Sequence, residues 1–150
     1  MTQRGVTLME VLMVIGIIAT LSVLSFVAFR NLNSTRALEG EAGRVAGELQ
    51  KARALTLSSK NQAQFGLHVQ ASQVTLFQGV VFVAGSSTNT VTGLNPLITI
   101  SSISLAGGGS DVVFNRLSGK TAENGTITLS RTGGASKTIT IYSTGLVEMQ

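Results

Sequence analysis

The sequence predicts an α+β fold in which one long N-terminal helix packs on an antiparallel β-sheet. The first observation behind this prediction is residues 11–29, which contain no charged side chain. The second is an apolar stripe of helical period that continues directly after them. The third is a change to a period of two from residue 64 onward, which is typical of strands separated by turns.

Composition indicates one strongly apolar segment and one small domain. Hydrophobic residues make up 43% and mean hydropathy is +0.36, yet only 12% of the 150 residues are charged. The excess of hydrophobic residues is concentrated in residues 11–29, so the rest of the chain resembles an ordinary soluble domain. No cysteine is present, which excludes disulfides, thiolate catalysis and cysteine-based metal sites.

The apolar segment is long enough to cross a membrane. Nineteen uncharged residues (11–29) rise about 28 Å as a helix, close to the thickness of a bilayer's hydrocarbon core. A secretory signal peptide would have a shorter apolar core followed by a small-residue cleavage site. Here the helical pattern continues instead. Seven of the 11 Lys and Arg residues lie within residues 1–60, which fits an N-terminal part that meets a membrane surface.

The helix is predicted to run from about residue 7 to residue 58, half in lipid and half packed on a domain. Its second half carries one apolar stripe at three- and four-residue spacing. The members of this stripe are Leu38, Ala42, Val45, Leu49, Ala52 and Thr56. Glu48 and Lys51, three residues apart, support the same helix.

Eight strands are predicted beyond residue 60. They are residues 64–69, 74–78, 80–84, 97–103, 111–114, 126–130, 137–142 and 146–149. Clusters of Gly, Asn and Ser separate them, among them the turn at residues 132–135. Strands 126–130 and 137–142 should therefore form a hairpin, and residues 85–93 should form a loop.

Glu10 is the most informative residue, since it is a lone carboxylate at the start of the apolar helix. An ionisable group there is costly unless paired, and this favours a functional role. The alternative is a glutamate at the headgroup level with no specific role. The residues around it read Arg4-Gly5-Val6-Thr7-Leu8-Met9-Glu10-Val11.

This stretch resembles the class III signal and N-terminal helix of type IV pilins and of the pseudopilins of type II secretion. The resemblance implies that a prepilin peptidase cuts after Gly5, that Val6 becomes the N-methylated mature terminus, and that Glu10 is the acidic residue used in assembly. The chain departs from the family in having Val6 where phenylalanine is usual. It also lacks the mid-helix proline of many relatives, with Val27 near that place.

The remainder resembles H-type minor pseudopilins and related minor pilins. The similar stretches are residues 47–54, 112–115, 117–119, 125–129 and 141–147. The resemblance implies a leader (1–5), a transmembrane or filament-core helix (6–29), its amphipathic continuation (30–60) and a β-rich domain (61–150). It further implies a non-enzymatic filament subunit without cofactors, single-pass in a bacterial inner membrane, with its domain periplasmic or extracellular.

The partners that the resemblance implies are other pilin or pseudopilin subunits, the peptidase, an inner-membrane assembly platform and lipid before assembly. Which machine the filament serves, and whether the subunit is major or minor, stays open. A membrane-anchored β-domain of another kind is an alternative, because it shares helix and sheet but does not need Gly5 and Glu10 at their spacing.

An enzyme is a further alternative that the sequence does not favour. His68, the only histidine, lies on a predicted strand where alternation places it on the solvated face. Glu39 and Glu41, two residues apart on a helix, do not converge. The chain shows no nucleophile–base pattern, phosphate loop or metal-ligand spacing, and Asp111, Glu123 and Glu148 do not have a calcium spacing.

DNA capture by a minor pilin is the remaining alternative. Four basic residues of the C-terminal half could form an anion patch on the sheet edges: Arg116, Lys120, Arg131 and Lys137. Binding there would be driven by phosphates and would weaken with salt. The chain lacks the arginine-rich C-terminus of the DNA-binding relatives, so a solvated face is favoured and nucleic acid is not expected as a partner.

Overall fold

The computed structural model describes Gly5, residues 7–131 and residues 134–150; side chains of residues 27–34 are outside this description. The predicted leader (apart from Gly5), Val6, Val27's side chain and part of the turn at 132–135 therefore lie outside the described residues. The elements are α1 (Leu8–Leu57), a short 3-10 turn (Lys60–Gln62), β1 (Phe65–Val69), β2 (Gln73–Gln78), β3 (Thr90–Gly93), β4 (Ile98–Leu105), β5 (Asp111–Val113), β6 (Gly125–Arg131), β7 (Ser136–Ile141) and β8 (Val147–Met149).

The chain divides into two compact units. The first ends at Arg36 and contains the apolar part of α1. The second, Ala37–Gln150, contains the amphipathic part of α1 and all eight described strands. The predicted α+β class is confirmed, and α1 begins and ends one residue inside the predicted limits.

The strands form two antiparallel sheets of four strands rather than the single sheet that was predicted. Sheet A has the order β3-β2-β1-β5 and sheet B the order β4-β6-β7-β8. Period-two patterns identify strands but carry little information on which strands pair, which is why the division was missed. The predicted hairpin is confirmed, because β6 and β7 pair from Gly125↔Ile141 to Ser130↔Ser136.

The core of the second unit lies between α1 and the inner faces of the strands. All six residues of the predicted stripe are buried, with Ala42, Val45, Leu49, Ala52 and Thr56 at 0% exposure and Leu38 at 2%. The five apolar members belong to one cluster with alternate residues of β1 and β6, such as Leu67, Ile127 and Leu129. The Thr56 hydroxyl accepts a hydrogen bond from the Phe65 amide (2.9 Å), which fixes β1 against the end of α1.

The strand predicted at residues 80–84 is wrong. Gly79 has φ +127°, so the chain leaves β2 there and crosses the outer face of sheet A, the face that points away from α1. The anchor of this segment is Phe82, whose ring stacks on His68 with centroids 3.9 Å apart. Val80 and Val81 have β-branched side chains that favour a strand by composition, but tertiary stacking decides the outcome.

The loop predicted at residues 85–93 is also partly wrong, since its last four residues form β3. This strand pairs with β2 from Gln73↔Gly93 to Leu76↔Thr90 and is the edge of sheet A. Arg44 on α1 donates a hydrogen bond to the Gly93 carbonyl (3.2 Å). Backbone pairing therefore forms a strand from threonine and glycine residues that give little apolar signal.

The prediction of a solvated His68 is wrong as well. Its side chain is only 17% exposed, because the ring of Phe82 covers it and Asp111 lies beside it. His68 Nδ1 is 2.5 Å from Asp111 Oδ1. Alternation does place His68 on the outer face, but the segment after β2 then covers that face.

Candidate functional site

Gly5 and Thr7, the described residues that precede α1, are exposed. Gly5 is exposed, lies outside the helix, and has open space where a Cβ would stand. Thr7 is the N-cap of α1: the Glu10 amide donates to its hydroxyl oxygen (3.3 Å) and to its carbonyl oxygen (3.1 Å). The helix begins at Leu8, so both Gly5 and Thr7 lie outside it.

Glu10 lies in the first turn of α1 and is exposed. Its negative charge is favourable there because the helix dipole is positive at its N-terminus. Thr7 and Glu10 also have the Thr-x-x-Glu spacing of a capping box, in which both residues stabilise a helix start. Sequence reasoning missed this role of Thr7, although the spacing itself was the available signal.

The span Leu8–Phe26 is long and apolar enough to cross a membrane. It has 19 residues, a mean hydropathy of 2.3 and no buried residue. Its one charged side chain is Glu10. A membrane anchor and a signal sequence both have this form, and the N-terminal position fits either.

Hydroxyl groups in this span bond to the helix backbone. Thr20 donates to the Ile17 carbonyl (2.8 Å), and Ser22 donates to the Ile18 carbonyl (2.7 Å). Ser25 likewise donates to the Leu21 carbonyl at 2.9 Å. Polar groups in an apolar medium must be satisfied internally, so these three residues are compatible with lipid or with a packed helix bundle.

The four basic residues proposed as an anion patch lie at two ends of sheet B. Arg131 and Lys137 flank the β6–β7 turn, whereas the amide of Thr121, next to Lys120, donates to the Ser143 carbonyl at the other end of β7. Six residues of strand separate these ends by about 20 Å. The structure therefore brings Arg131 near Lys137 but does not join this pair to Arg116 and Lys120.

The two pairs have different surroundings. Lys137 Nζ lies 3.9 Å from Glu39 Oε1, and Arg131 Nε is buried without a hydrogen-bond partner among the described residues. Lys120 lines an open cavity of 370 Å³ together with Asn115, Thr121, Ala122, Ser143 and Thr144. Each pair is thus a small local feature rather than part of a continuous basic stripe.

The acidic residues of the second unit have separate partners. Glu41 pairs with Arg44 (3.2 Å) and Glu48 with Lys51 (3.1 Å), as the helical spacing predicts for the latter. Glu123 accepts from the Thr121 hydroxyl (2.9 Å), and Glu148 accepts from the Tyr142 hydroxyl (2.8 Å). Within the described part of the chain no three His, Cys, Asp or Glu residues could hold a metal together.

Comparisons of the chain with protein-family models, with curated proteins and with solved structures found no match.

Proposed function

We propose that this chain is a structural subunit of a filament of the type IV pilus or type II secretion pseudopilus kind. It would be cut after Gly5 by a prepilin peptidase and assembled through the first part of α1. The observation that carries the proposal is a 19-residue apolar span with no buried residue, one carboxylate in its first turn and a non-helical glycine before it.

The chemistry of assembly follows from cleavage. Hydrolysis after Gly5 creates an amino group on Val6, four residues from Glu10. When such helices pack with a stagger, the ammonium of one subunit meets the Glu10 carboxylate of its neighbour. A buried ion pair is favourable only with correct geometry, because desolvation otherwise exceeds the attraction. The pair would therefore set the stagger between subunits more than it adds stability.

Transfer from lipid into a filament fits the composition of the span. Leu8–Phe26 exposes large apolar side chains throughout, for example Leu12 at 58% and Leu24 at 68%. Lipid tails and neighbouring helices are similarly apolar, so the exchange costs little hydrophobic free energy. The subunit would wait in a bacterial inner membrane, with the second unit in the periplasm or outside the cell.

Processing is the first test of this proposal. The intact mass and the N-terminal sequence of the membrane-extracted chain would be measured after expression with and without a prepilin peptidase. We expect a product that begins at Val6 only with the peptidase, heavier by one methyl group where methylation occurs. A chain that stays whole, or one cut beyond residue 29, would contradict the filament function and favour an anchored or secreted β-domain.

Glu10→Gln then separates charge from helix capping, because glutamine can still complete the capping box with Thr7. We expect normal cleavage after Gly5 and a loss of sedimentable polymer. Glu48→Gln is the matched control, since Glu48 pairs only locally with Lys51. Polymer that survives in Glu10→Gln at the control level would show that the carboxylate does not act in assembly.

A further inference from the structure

An open cavity of 370 Å³ lies where a loop that follows sheet A meets a turn of sheet B. The loop comes after β5 and the turn joins β7 to β8, so the two walls of the cavity come from different sheets. The lining residues are Asn115, Lys120, Thr121, Ala122, Ser143 and Thr144. All of them except the alanine carry a group that can donate a hydrogen bond, so a ligand there is held mainly by polar contacts.

A strained turn brings the residues of the first wall together. The Ser118 amide donates to the Arg116 carbonyl (2.8 Å), which closes a three-residue turn centred on Leu117. Leu117 has φ +67°, and turns of this kind are rare because that conformation is costly for a branched residue. The chain doubles back there, and the Asn115 amide donates to the Lys120 carbonyl (2.8 Å). Asn115 and Lys120 therefore line the same cavity, and strain of this kind is typical of functional sites.

The hairpin of β7 and β8 supplies the second wall. Its turn is closed by the Gly145 amide, which donates to the Tyr142 carbonyl (2.8 Å), and Gly145 has φ +79°. A left-handed glycine at the end of the turn is typical of short hairpin loops. Ser143 and Thr144 occupy the middle of this turn and are exposed, so their hydroxyl groups are accessible to a ligand.

The two walls are fixed to each other and to α1. The Thr121 amide donates to the Ser143 carbonyl (3.1 Å), and Thr121 is only 4% exposed. The backbones of Gly119 and Gly145 touch, so that a Cβ on Gly145 would overlap the Gly119 carbonyl. Arg53 on α1 donates from Nε to that same carbonyl (3.1 Å). A cavity held in this way needs little rearrangement when a ligand binds, and such preorganisation favours affinity.

Several hydrogen-bond donors of the cavity are not used by the described part of the chain. Lys120 Nζ and the hydroxyl groups of Ser143 and Thr144 have no hydrogen-bond or ion-pair partner there. Asn115 Oδ1 accepts from Gln64 Nε2 (3.4 Å), which leaves the side-chain NH₂ of Asn115 as a further donor. One cation and three neutral donors around a small cavity match an anion that accepts several hydrogen bonds.

The net charge of the segments around the cavity is positive. Three cations lie on the loop after β5 or contact it: Arg53, Arg116 and Lys120. The carboxylates of these segments are Glu123 and Glu148, and each accepts a hydrogen bond from a hydroxyl group, at 2.9 Å and 2.8 Å. Three cations against two carboxylates favour an anionic ligand over a neutral one.

We propose that this cavity binds the phosphate group of a small molecule, either inorganic phosphate or a phosphate monoester. Lys120 supplies the charge, while Ser143, Thr144 and the side-chain NH₂ of Asn115 donate to the phosphate oxygens. A phosphate group accepts hydrogen bonds from several directions, which fits donors that come from two walls. The inference goes beyond the proposed filament function and does not depend on it, because every lining residue belongs to the second unit.

An extended polyanion fits this cavity less well than a small molecule does. Arg131 and Lys137 lie at the other end of sheet B, so they do not extend the positive charge around Lys120. Nucleic acids are held by basic residues that contact several successive phosphates. A cavity of 370 Å³ is of the size that holds one small ligand.

Titration with inorganic phosphate tests the proposal on the full-length chain in a non-ionic detergent. Amide chemical shifts would be followed by NMR at constant ionic strength, with phosphate replacing chloride. We expect saturable shifts at Lys120, Thr121, Ser143 and Thr144. Glucose 6-phosphate is the second probe. Tighter binding of this probe than of inorganic phosphate identifies a phosphate monoester as the ligand, whereas weaker binding identifies free phosphate.

Lys120→Gln removes the charge and keeps a long polar side chain. We expect about tenfold weaker phosphate binding, because a charge-assisted hydrogen bond is lost. Lys60→Gln is the matched control and should bind phosphate like the native chain. Lys60 is also an exposed lysine without an ion-pair partner among the described residues, but it does not line the cavity. Ser143→Ala should weaken binding by a smaller factor than Lys120→Gln, because its hydroxyl is a neutral donor.

Three results would overturn the inference. Shifts that do not saturate, or that are as large at Lys60 as at Lys120, mean that phosphate only screens surface charge. Equal binding by the native chain and by Lys120→Gln means that the cavity is not the site. A single-stranded oligonucleotide that binds far more tightly than either probe, and that also shifts Arg131 and Lys137, favours nucleic acid instead. Cleavage after Gly5 is measured separately, so each of these results leaves the filament proposal standing.

Discussion

The two parts of α1 use apolar side chains in opposite ways. In Leu8–Phe26 no residue is buried within the chain, whereas the stripe from Leu38 to Thr56 is buried to between 0% and 2% exposure. The second part has its apolar partner inside the chain, in the strands of both sheets. The first part has an exposed apolar surface over its whole described length, which is the form of a membrane anchor or of a signal sequence.

Polar groups follow the same division. The hydroxyls of the first part, such as Ser22, bond to carbonyls of their own helix. The second part has ion pairs on its solvent side, such as Glu48–Lys51, which are typical of a helix face in water. The hydroxyls of the first part are thus satisfied without water, whereas the charged pairs of the second part suit a face in water.

The largest effect that we expect in testing this difference is the truncation of a buried leucine. Leu49→Ala should reduce the free energy of unfolding of the second unit by about 2–5 kcal/mol, because it removes a fully buried side chain and leaves a cavity. Leu21→Ala, at a position 57% exposed, should leave that free energy unchanged. Pulse proteolysis of the detergent-solubilised chain in urea would measure both.

Equal destabilisation by Leu49→Ala and Leu21→Ala would contradict the difference in burial between the two parts of α1. It would mean that Leu21 packs on the second unit and that the first part of α1 has an intramolecular partner. Leu49→Val is a milder companion variant, and it should fall between the native chain and Leu49→Ala if burial is the cause.

The spacing of apolar residues along the sequence predicted most of this architecture. The stripe on α1 and the β6–β7 hairpin follow from apolar residues at helical and strand intervals. Glu10 was singled out as a lone carboxylate at the start of an apolar helix, and the role predicted for Gly5 came from the resemblance to prepilins. Residues 80–84 were mistaken for a strand because they have strand composition, whereas Phe82 stacks on His68 of β1 instead of pairing in a sheet.

The basic residues show a second limit of sequence reasoning. Arg131 and Lys137 were expected to be close to Arg116 and Lys120, but positions along the chain do not tell which end of a sheet each one occupies. A hairpin turn brings the first two together, and the loop after β5 lies at the other end. Strand pairing across two sheets, which was not predictable from periodicity, decides the separation.

A smaller effect on the free energy of unfolding is expected at Gly43, in the second part of α1. Gly43, on the exposed side of the second part, has a negative φ and open space where a Cβ would stand. Gly43→Ala should therefore raise the free energy of unfolding of the second unit by about 0.5–1 kcal/mol, by restricting the unfolded chain. Gly16→Ala in the first part should not change it, and the same proteolysis assay would compare them.

The smallest expected effect concerns Tyr142, the only tyrosine in a chain without tryptophan. Its hydroxyl donates a hydrogen bond to Glu148 Oε2 (2.8 Å), and this bond, together with the negative charge of Glu148, raises the pKa of Tyr142 above the ordinary 10.0. Phenolate absorbance would follow the titration. Glu148→Gln should lower the pKa of Tyr142 toward 10.0, since glutamine carries no charge.

The sign of the linked stability effect follows from proton binding. Above pH 10.0 the unfolded chain loses the phenol proton while the folded chain keeps it, so the folded chain binds more protons and stability falls as pH rises through the raised pKa. The contribution is fully present below pH 10.0. Because the signal comes only from the second unit, Leu21→Ala should leave the titration unchanged; a shift in the pKa of Tyr142 in that variant would contradict the separate roles of the two parts of α1.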